Sequence, residues 1–458
     1  VKCFFIFEKK KALNHEDSTR CGDHMDVNSL PEALPEGIDE EKYVIATYYV
    51  CASPRYNIYK IAPAIAVEQS TGTWVAVPGE TEEVRRTHVA KVTGIYEIPH
   101  YEFELPEVHE RNYIVQIAFP WINFGQQIPM LLTTVAGNIS MGGKIKLMDL
   151  KFPQSFTEGF KGARYGIEGV REILHVPHRP LLNNMIKPCT GFPAKIGADL
   201  FYEVARGGAD IIKDDELLAD ASFNTLEERV PLYMEAADRA EEETGEKTLF
   251  AVNITDRTPK VLENADRVIE LGTNCIMINY LTAGISVLRA LAEDPSITVP
   301  ILAHMDFAGT MYESHYSGVA SPIILGKLPR LAGADIIVFP APYGKAPYLK
   351  ERYMQTAKTM TYPFHGIAPV FPMPSGGIVQ PMVEDVIKDL GYDVVIGAGG
   401  AIHAHPMGSA AGARAFRQAI DAVMSGQSLD DAAEEHEELA QSIEASLKAI
   451  KEMRDLMG

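Results

Sequence analysis

After Pro153 the chain carries short apolar runs at 182–188, 209–213, 248–255, 274–281, 299–305, 334–341, 367–373 and 393–398, with helical segments between them. Strands that are apolar without alternation belong to parallel sheets covered on both faces. Eight such strands in roughly 250 residues is the usual size of a closed (β/α)₈ barrel. One intervening helix is legible in detail. Thr225 and Glu228 form a capping box, Leu226, Val230 and Tyr233 fall at helical spacing, and Gly245 stops it; Pro231 predicts a kink or a short first turn. Past Gly408 the pattern is wholly helical, and Ser428 is placed to cap a final helix whose stripe is Leu439, Ile443, Leu447 and Ile450.

Before Pro153 the rhythm is different. The segments 43–49 and 113–119 are β-branched and aromatic in the manner of strands, while 8–42 is polar and turn-rich. A chain of 458 residues exceeds one ordinary domain. The organisation expected is a smaller α+β domain with an antiparallel sheet over 1–153, irregular to about residue 42. The barrel with its C-terminal helices then takes 154–458.

A net charge of −20 argues against a nucleic-acid surface, which needs basic clusters. No apolar run reaches the roughly 18 residues that cross a bilayer. Cys3-Phe4-Phe5-Ile6-Phe7 is too short for a signal-peptide core, and Glu8-Lys9-Lys10 follows it. The five cysteines, Cys3, Cys21, Cys51, Cys189 and Cys275, show no CxxC spacing, so neither a disulfide framework nor a zinc site is expected and a reducing cytoplasm fits.

Barrel enzymes place their chemistry at the carboxyl ends of the strands. Read in order, those ends give Lys187, then Lys213-Asp214-Asp215-Glu216, Asn253, Asn279, His304, Lys345, Ser375-Gly376-Gly377 and Gly399-Gly400. Alternation along a strand puts Lys213 and Asp215 on one side, and Glu216 joins them where the strand unwinds. Two carboxylates are a sparse oxygen site for Mg²⁺. A lysine carbamylated by CO₂ adds an anionic oxygen ligand; the motif alone reads equally well as a charged loop with a salt-bridged lysine. The glycine pairs follow the seventh and eighth strands, where barrels bind phosphate through backbone N–H groups. Lys345 either closes over that phosphate or is one more exposed loop lysine. His304, His403 and His405 read first as hydrogen-bonded structural residues, and Cys189 as a small hydrophobe beside Lys187.

These residues resemble the large subunit of RuBisCO (ribulose-bisphosphate carboxylase). Lys187-Pro188 and Lys213-Asp214-Asp215-Glu216 have their lysines 26 positions apart, as in that family. Glu68-Gln69-Ser70-Thr71-Gly72-Thr73-Trp74, Gly137-Asn138, Asn279-Tyr280-Leu281-Thr282, Gly344-Lys345 and both glycine pairs follow in order. The resemblance implies that Lys213 is carbamylated and binds Mg²⁺ with Asp215 and Glu216. It implies that Lys187 is the acid/base lysine, and that Thr73, Trp74, Lys345, Gly377, Gly399 and Gly400 hold one phosphate, with Gly376 in the same turn. His304 and Ser375 then contact the substrate chain. Glu68, Thr73, Trp74 and Asn138 belong to the domain that completes a neighbouring subunit's site, which implies a homodimer at least.

The departures are as informative. The family's Lys-Pro-Lys is here Lys187-Pro188-Cys189; its His-Arg is His304-Met305; a following histidine is Ala308; and a sixth-strand histidine is Val338. Met305 and Val338 remove charge-assisted hydrogen bonds to a second phosphate, each worth roughly 1.5–3 kcal/mol. This pattern resembles the non-carboxylating, type IV RuBisCO-like proteins. It implies an Mg²⁺-dependent enolase or isomerase that removes a proton beside a carbonyl of a phosphorylated ketose or diketone, in the manner of methylthio-sugar phosphate salvage. Ribulose-bisphosphate carboxylation and non-catalytic sugar-phosphate binding are the rival readings.

Overall fold

The computed structural model describes residues 30–72, 77–103 and 108–457. Thr73, Trp74, Cys3, Cys21 and the opening apolar segment lie outside the described residues. In chain order the strands are β1 (Tyr43–Ala52), β2 (Lys91–Glu97), β3 (Arg111–Pro120), β4 (Ile145–Lys151), β5 (Leu181–Met185), β6 (Ile211–Lys213) and β7 (Leu249–Asn253). They continue as β8 (Cys275–Asn279), β9 (Ile301–His304), β10 (Gly318–Val319), β11 (Ile336–Pro340), β12 (Phe371–Ser375) and β13 (Val395–Ala398).

The chain divides into two compact units. One runs to Gly159 and also takes in Gly309–Ile324; the other comprises Phe160–Ala308 and Leu325–Gly458. The first is built on a sheet ordered β10-β4-β1-β3-β2. β1 pairs antiparallel with β3 over its whole length, from Tyr43 opposite Pro120 to Ala52 opposite Arg111. β4 and β2 add antiparallel on either side. The sheet is mixed because β10, from the segment between the fifth and sixth barrel strands, joins β4 in parallel. Lys146 secures that segment by donating to the Tyr312 and Ser314 carbonyls at 2.7 and 2.5 Å.

The second unit is the (β/α)₈ barrel, its ladder running β12-β11-β9-β8-β7-β6-β5-β13, all parallel. Its interior is filled by Leu181, Ile211, Leu249, Ala251, Cys275, Met277, Leu302, Ile336, Val338, Phe371, Met373 and Val395. The ring closes between β12 and β13, and the sequence of β12 explains why that joint lies outside the ladder. Phe371 donates to Asp335 and Ser375 accepts from Ala341, so odd-numbered residues of β12 face β11. Pro372 and Pro374 therefore face β13, and proline has no N–H to give. Gly397 brings β13 close instead: a Cβ there would stand 2.0 Å from Ser375 Oγ.

β12 starts four residues later than the apolar run 367–373 predicts. The preceding carbonyls are engaged elsewhere: buried Arg330 donates to Ile367 and Ala368 at 2.8 and 2.9 Å, and to Thr359 and Tyr362 at 3.0 and 2.8 Å. The helix Leu226–Thr244 has its Thr225 cap and its left-handed Gly245, and it continues through Pro231. Ser428 caps a short helix, Leu429–Glu435, rather than the final one. His436 is extended, and the stripe expected after it lies on Glu437–Met457, where Leu439 is buried and the Leu447 and Ile450 side chains are outside the description. Among the described residues no helix is long and apolar enough to cross a membrane, and Cys51, Cys189 and Cys275 are free thiols.

Candidate active site

Side chains two residues apart on a strand face the same way. Lys213 follows interior Ile211, Asn253 follows Ala251, Asn279 follows Met277, His304 follows Leu302 and Ser375 follows Met373. All five are buried at the carboxyl ends of their strands, so they share the inner face of one mouth.

Lys213 is fully buried and donates to the Asp214 carbonyl at 2.9 Å and to Glu216 Oε2 at 3.3 Å. Burial dominates there and pulls the amine below its ordinary pKa, against the pull of Glu216 and Asp215. At Glu216 burial works to raise the carboxyl, but Lys213 and His304 outweigh it and bring it to about 2. His304 reaches the same oxygen through Nε2 at 3.3 Å, and burial followed by the Lys213 charge keeps its imidazole below the usual range.

Lys187 stands in the loop beyond β5 and pairs with Asp215 at 2.5 Å, with Cys189 Sγ at 3.0 Å. Burial acts to lower this lysine, yet Asp215 and then Cys189 outweigh it and hold it above its ordinary value. While Asp215 holds it, Lys187 is kept protonated against the effect of burial. A Cβ on Gly399 would stand 3.2 Å from the Lys187 stem, so the eighth-strand glycine lies against this lysine.

The loop of Asp215 and Glu216 is held from beneath. Asp214 faces the helix layer, where fully buried Arg229 meets it at 3.1 Å. The remaining Arg229 donors go to the Asn224 carbonyl and side chain and to the Ala219 carbonyl. Asn279 Nδ2 donates to the Glu216 carbonyl at 3.1 Å, and Asn253 Nδ2 reaches the Asp215 and Glu216 carbonyls at 3.5 and 3.4 Å. Arg229 was not singled out from sequence. Its signal is there: a lone arginine on the stripe of Leu226, Val230 and Tyr233 needs a buried partner.

Gly376 and Gly377 both have left-handed φ, 101° and 96°, which favours glycine. The turn after β11 packs onto them backbone to backbone. Lys345 N donates to Gly376 O at 2.9 Å, and a Cβ on Gly344 would lie 1.7 Å from that oxygen. Lys345 is exposed. Among the described residues the N–H groups of Gly376, Gly377, Gly399 and Gly400 donate to no backbone carbonyl. Ser375 Oγ and Asn279 Oδ1 are buried without a hydrogen-bond partner. His403 bonds Asn184 and Ser409, and His405 bonds the Glu438 carbonyl, which fits their structural reading. In the other unit Gln69 donates to the Thr133 and Thr134 carbonyls at 3.2 and 2.6 Å, and Asn138 Nδ2 comes to 3.4 Å from Glu68.

The positions that depart from a bisphosphate site are apolar in the structure too. Val338 is wholly buried in the barrel core and Met305 packs against it. The family model for the ribulose bisphosphate carboxylase large chain, catalytic domain, matches residues 166–446, and that for its N-terminal domain matches 36–156. The chain belongs to the RuBisCO large-chain family. A ribulose bisphosphate carboxylase-like protein of Archaeoglobus fulgidus is 64% identical over 86% of this chain and 91% of its own. A 2,3-diketo-5-methylthiopentyl-1-phosphate enolase of Geobacillus kaustophilus is 40% identical over 88% and 97%. Among solved structures, a RuBisCO-like protein from Alicyclobacillus acidocaldarius superposes with a TM-score of 0.82 at 36% identity, covering 88% of this chain and 99% of that one. A dimeric archaeal RuBisCO from Hyperthermus butylicus gives 0.79 at 32%, covering 88% and 96%. Family membership thus rests on both units, and the similarity to RuBisCO-like relatives agrees with the loss of the bisphosphate and Lys-Pro-Lys features.

Proposed function

We propose that this chain is an enolase that removes a proton beside a carbonyl of a phosphorylated diketone, with 2,3-diketo-5-methylthiopentyl 1-phosphate, named for the Geobacillus relative, as its substrate. The observation that carries this is the pairing of two lysines with two carboxylates in one barrel mouth, Lys213 with Glu216 and Lys187 with Asp215. Met305, at a place where a RuBisCO grips a second phosphate, suits an apolar thioether end, and Val338 beneath the mouth is core.

Among the described residues no three His, Cys, Asp or Glu side chains are grouped as a metal would need. Asp215 and Glu216 supply two oxygen donors for Mg²⁺, and a carbamate on Lys213, as the RuBisCO family implies, would add a third anionic one. The residues fit that reading. A fully buried lysine held below its ordinary pKa offers the neutral amine that attacks CO₂. Mg²⁺ in this site would supply positive charge where the enolate oxygen develops.

An Asp215 oxygen engaged with a cation would hold Lys187 less strongly, and loosening the contact that keeps Lys187 protonated would let burial favour the neutral amine. Lys187 Nζ then takes the proton from the carbon; the Lys213 carbamate is the alternative base. The N–H groups of Gly376, Gly377, Gly399 and Gly400, with Lys345, hold the phosphate, and Thr73 and Trp74 from a second copy join them. His304 and Ser375 contact the substrate chain. Glu68 and Asn138 complete the site of a second copy, so the working unit is a homodimer or larger, as the dimeric archaeal relative suggests.

The test is NMR in D₂O with Mg²⁺ and bicarbonate. Deuterium enters the diketone phosphate at the carbon beside the carbonyl, and exchange is lost without Mg²⁺. Lys187→Met abolishes exchange while leaving Mg²⁺ binding intact. Survival of exchange in that variant would remove Lys187 as the base. Conversion of ribulose bisphosphate to phosphoglycerate would restore a carboxylase.

A further inference from the structure

Lys345 is exposed on the turn between β11 and the helix Lys350–Thr361, so its ammonium can be directed only through the backbone that carries it. That backbone touches the seventh-strand turn at Gly344 and at Lys345 N, as described above. Two residues before Lys345, Tyr343 is gripped from several directions. Its hydroxyl donates to Asp389 on the helix Val383–Leu390. Lys350 pairs with the same carboxylate at 2.9 Å and sits 5.5 Å from the centroid of the Tyr343 ring. The Tyr343 ring meets Tyr353 edge-on at 5.9 Å and 76°, and buried Tyr353 stacks on Phe339 of β11 at 5.2 Å.

We infer that Tyr343, held by Asp389, is a positioning residue that fixes the Lys345 turn against Gly376 and Gly377. This rests on the reading of Lys345 as a phosphate ligand. The chemistry is that of a preset cation: a lysine side chain has several freely rotating bonds, and fixing its backbone confines where the ammonium can go. The Asp389 carboxylate is only 7% exposed, so its partners are stable ones. The close seat of the turn on Gly376 depends on glycine at 344, because a Cβ there would meet the Gly376 backbone. The anchor and the contact surface therefore act on the same three residues, Tyr343 to Lys345, from opposite ends.

The test uses the full chain, with Tyr343→Phe and Asp389→Asn as two independent, nearly isosteric lesions. Amide exchange over residues 342–349 should rise about tenfold in both, the loss expected when about one hydrogen bond's worth of local stability goes. The dissociation constant for inorganic phosphate should rise about threefold to tenfold in both. In a Lys345→Met background the same lesions should leave that constant unchanged. With the diketone phosphate, KM should rise while kcat is retained. Unchanged amide exchange overturns the inference, as does an equal loss of phosphate affinity with and without Lys345. If Lys345→Met itself leaves phosphate binding intact while exchange still responds to Tyr343→Phe, the anchor stands and the phosphate role of Lys345 falls.

Discussion

Asp214 and Asp215 are one peptide apart at the end of β6, and strand parity sends them into different surroundings. Asp214 turns toward the helix layer, where Arg229 is as buried as it is and donates from its other two nitrogens to Asn224 and Ala219. Asp215 turns into the mouth, where its partner is a lysine that is 30% exposed and sits in a loop. The first pair is closed to solvent on both sides. The second has a partner that solvent reaches. One residue type thus serves as a fully enclosed support and, at the next position, as the partner of a part-exposed lysine, and what distinguishes them is whether solvent reaches the counter-charge.

That contrast can be broken from the structural side first. Arg229→Met leaves the Asp214 carboxylate buried and unpaired, which should cost about 3–5 kcal/mol in urea unfolding. Pairing it with Asp214→Leu should recover most of the loss, since apolar replacement of both partners of a buried pair is often neutral. A small effect of Arg229→Met alone would mean that water reaches Asp214, and the contrast would collapse. On the other side, Lys213→Met should lower the urea midpoint far less than Arg229→Met, because the Glu216 carboxylate it leaves is 34% exposed and keeps His304 beside it. Proton exchange in the same variant should fall by about 10²–10³-fold, the scale for loss of a group that stabilises developing charge. A large loss of stability there would make Lys213 a second structural residue.

The smallest expected effect sharpens the boundary between the two sides. Asn279 supports the mouth through the Glu216 carbonyl and stands outside the proposed Mg²⁺ ligands. Asn279→Ala should weaken Mg²⁺ binding by about tenfold in bicarbonate buffer, the lower end of what outer supporting groups contribute. Calorimetric titration reads this directly. An unchanged affinity would show that Asp214 and Arg229 hold the loop on their own.

Much of this was legible before any coordinates, and the reason is parity. Eight runs without alternation announce a parallel barrel, and alternation within Lys213–Glu216 separates the side chains correctly. Irregular but buried backbone was the blind spot. Ile367 to Val370 are apolar, yet Arg330 captures two of their carbonyls, so hydrophobicity alone mistook them for strand. The parallel addition of β10 was hidden for another reason. Two residues carry no pattern, and their pairing depends on Lys146 and on carbonyls that any residue possesses. The pairing of Lys187 with Asp215 was equally out of reach, because it joins a loop to a strand end 28 residues away.

The joint between β12 and β13 has a mechanical meaning. A ring of strands is as stiff as its least clasped joint, and here Pro372 and Pro374 leave that joint without donors from one side. Gly376 and Gly377 stand on one lip of it and Gly399 and Gly400 on the other. A phosphate held by all four would act as the missing clasp, so substrate entry would tighten the scaffold at its softest point. In that reading the ligand itself closes the hoop.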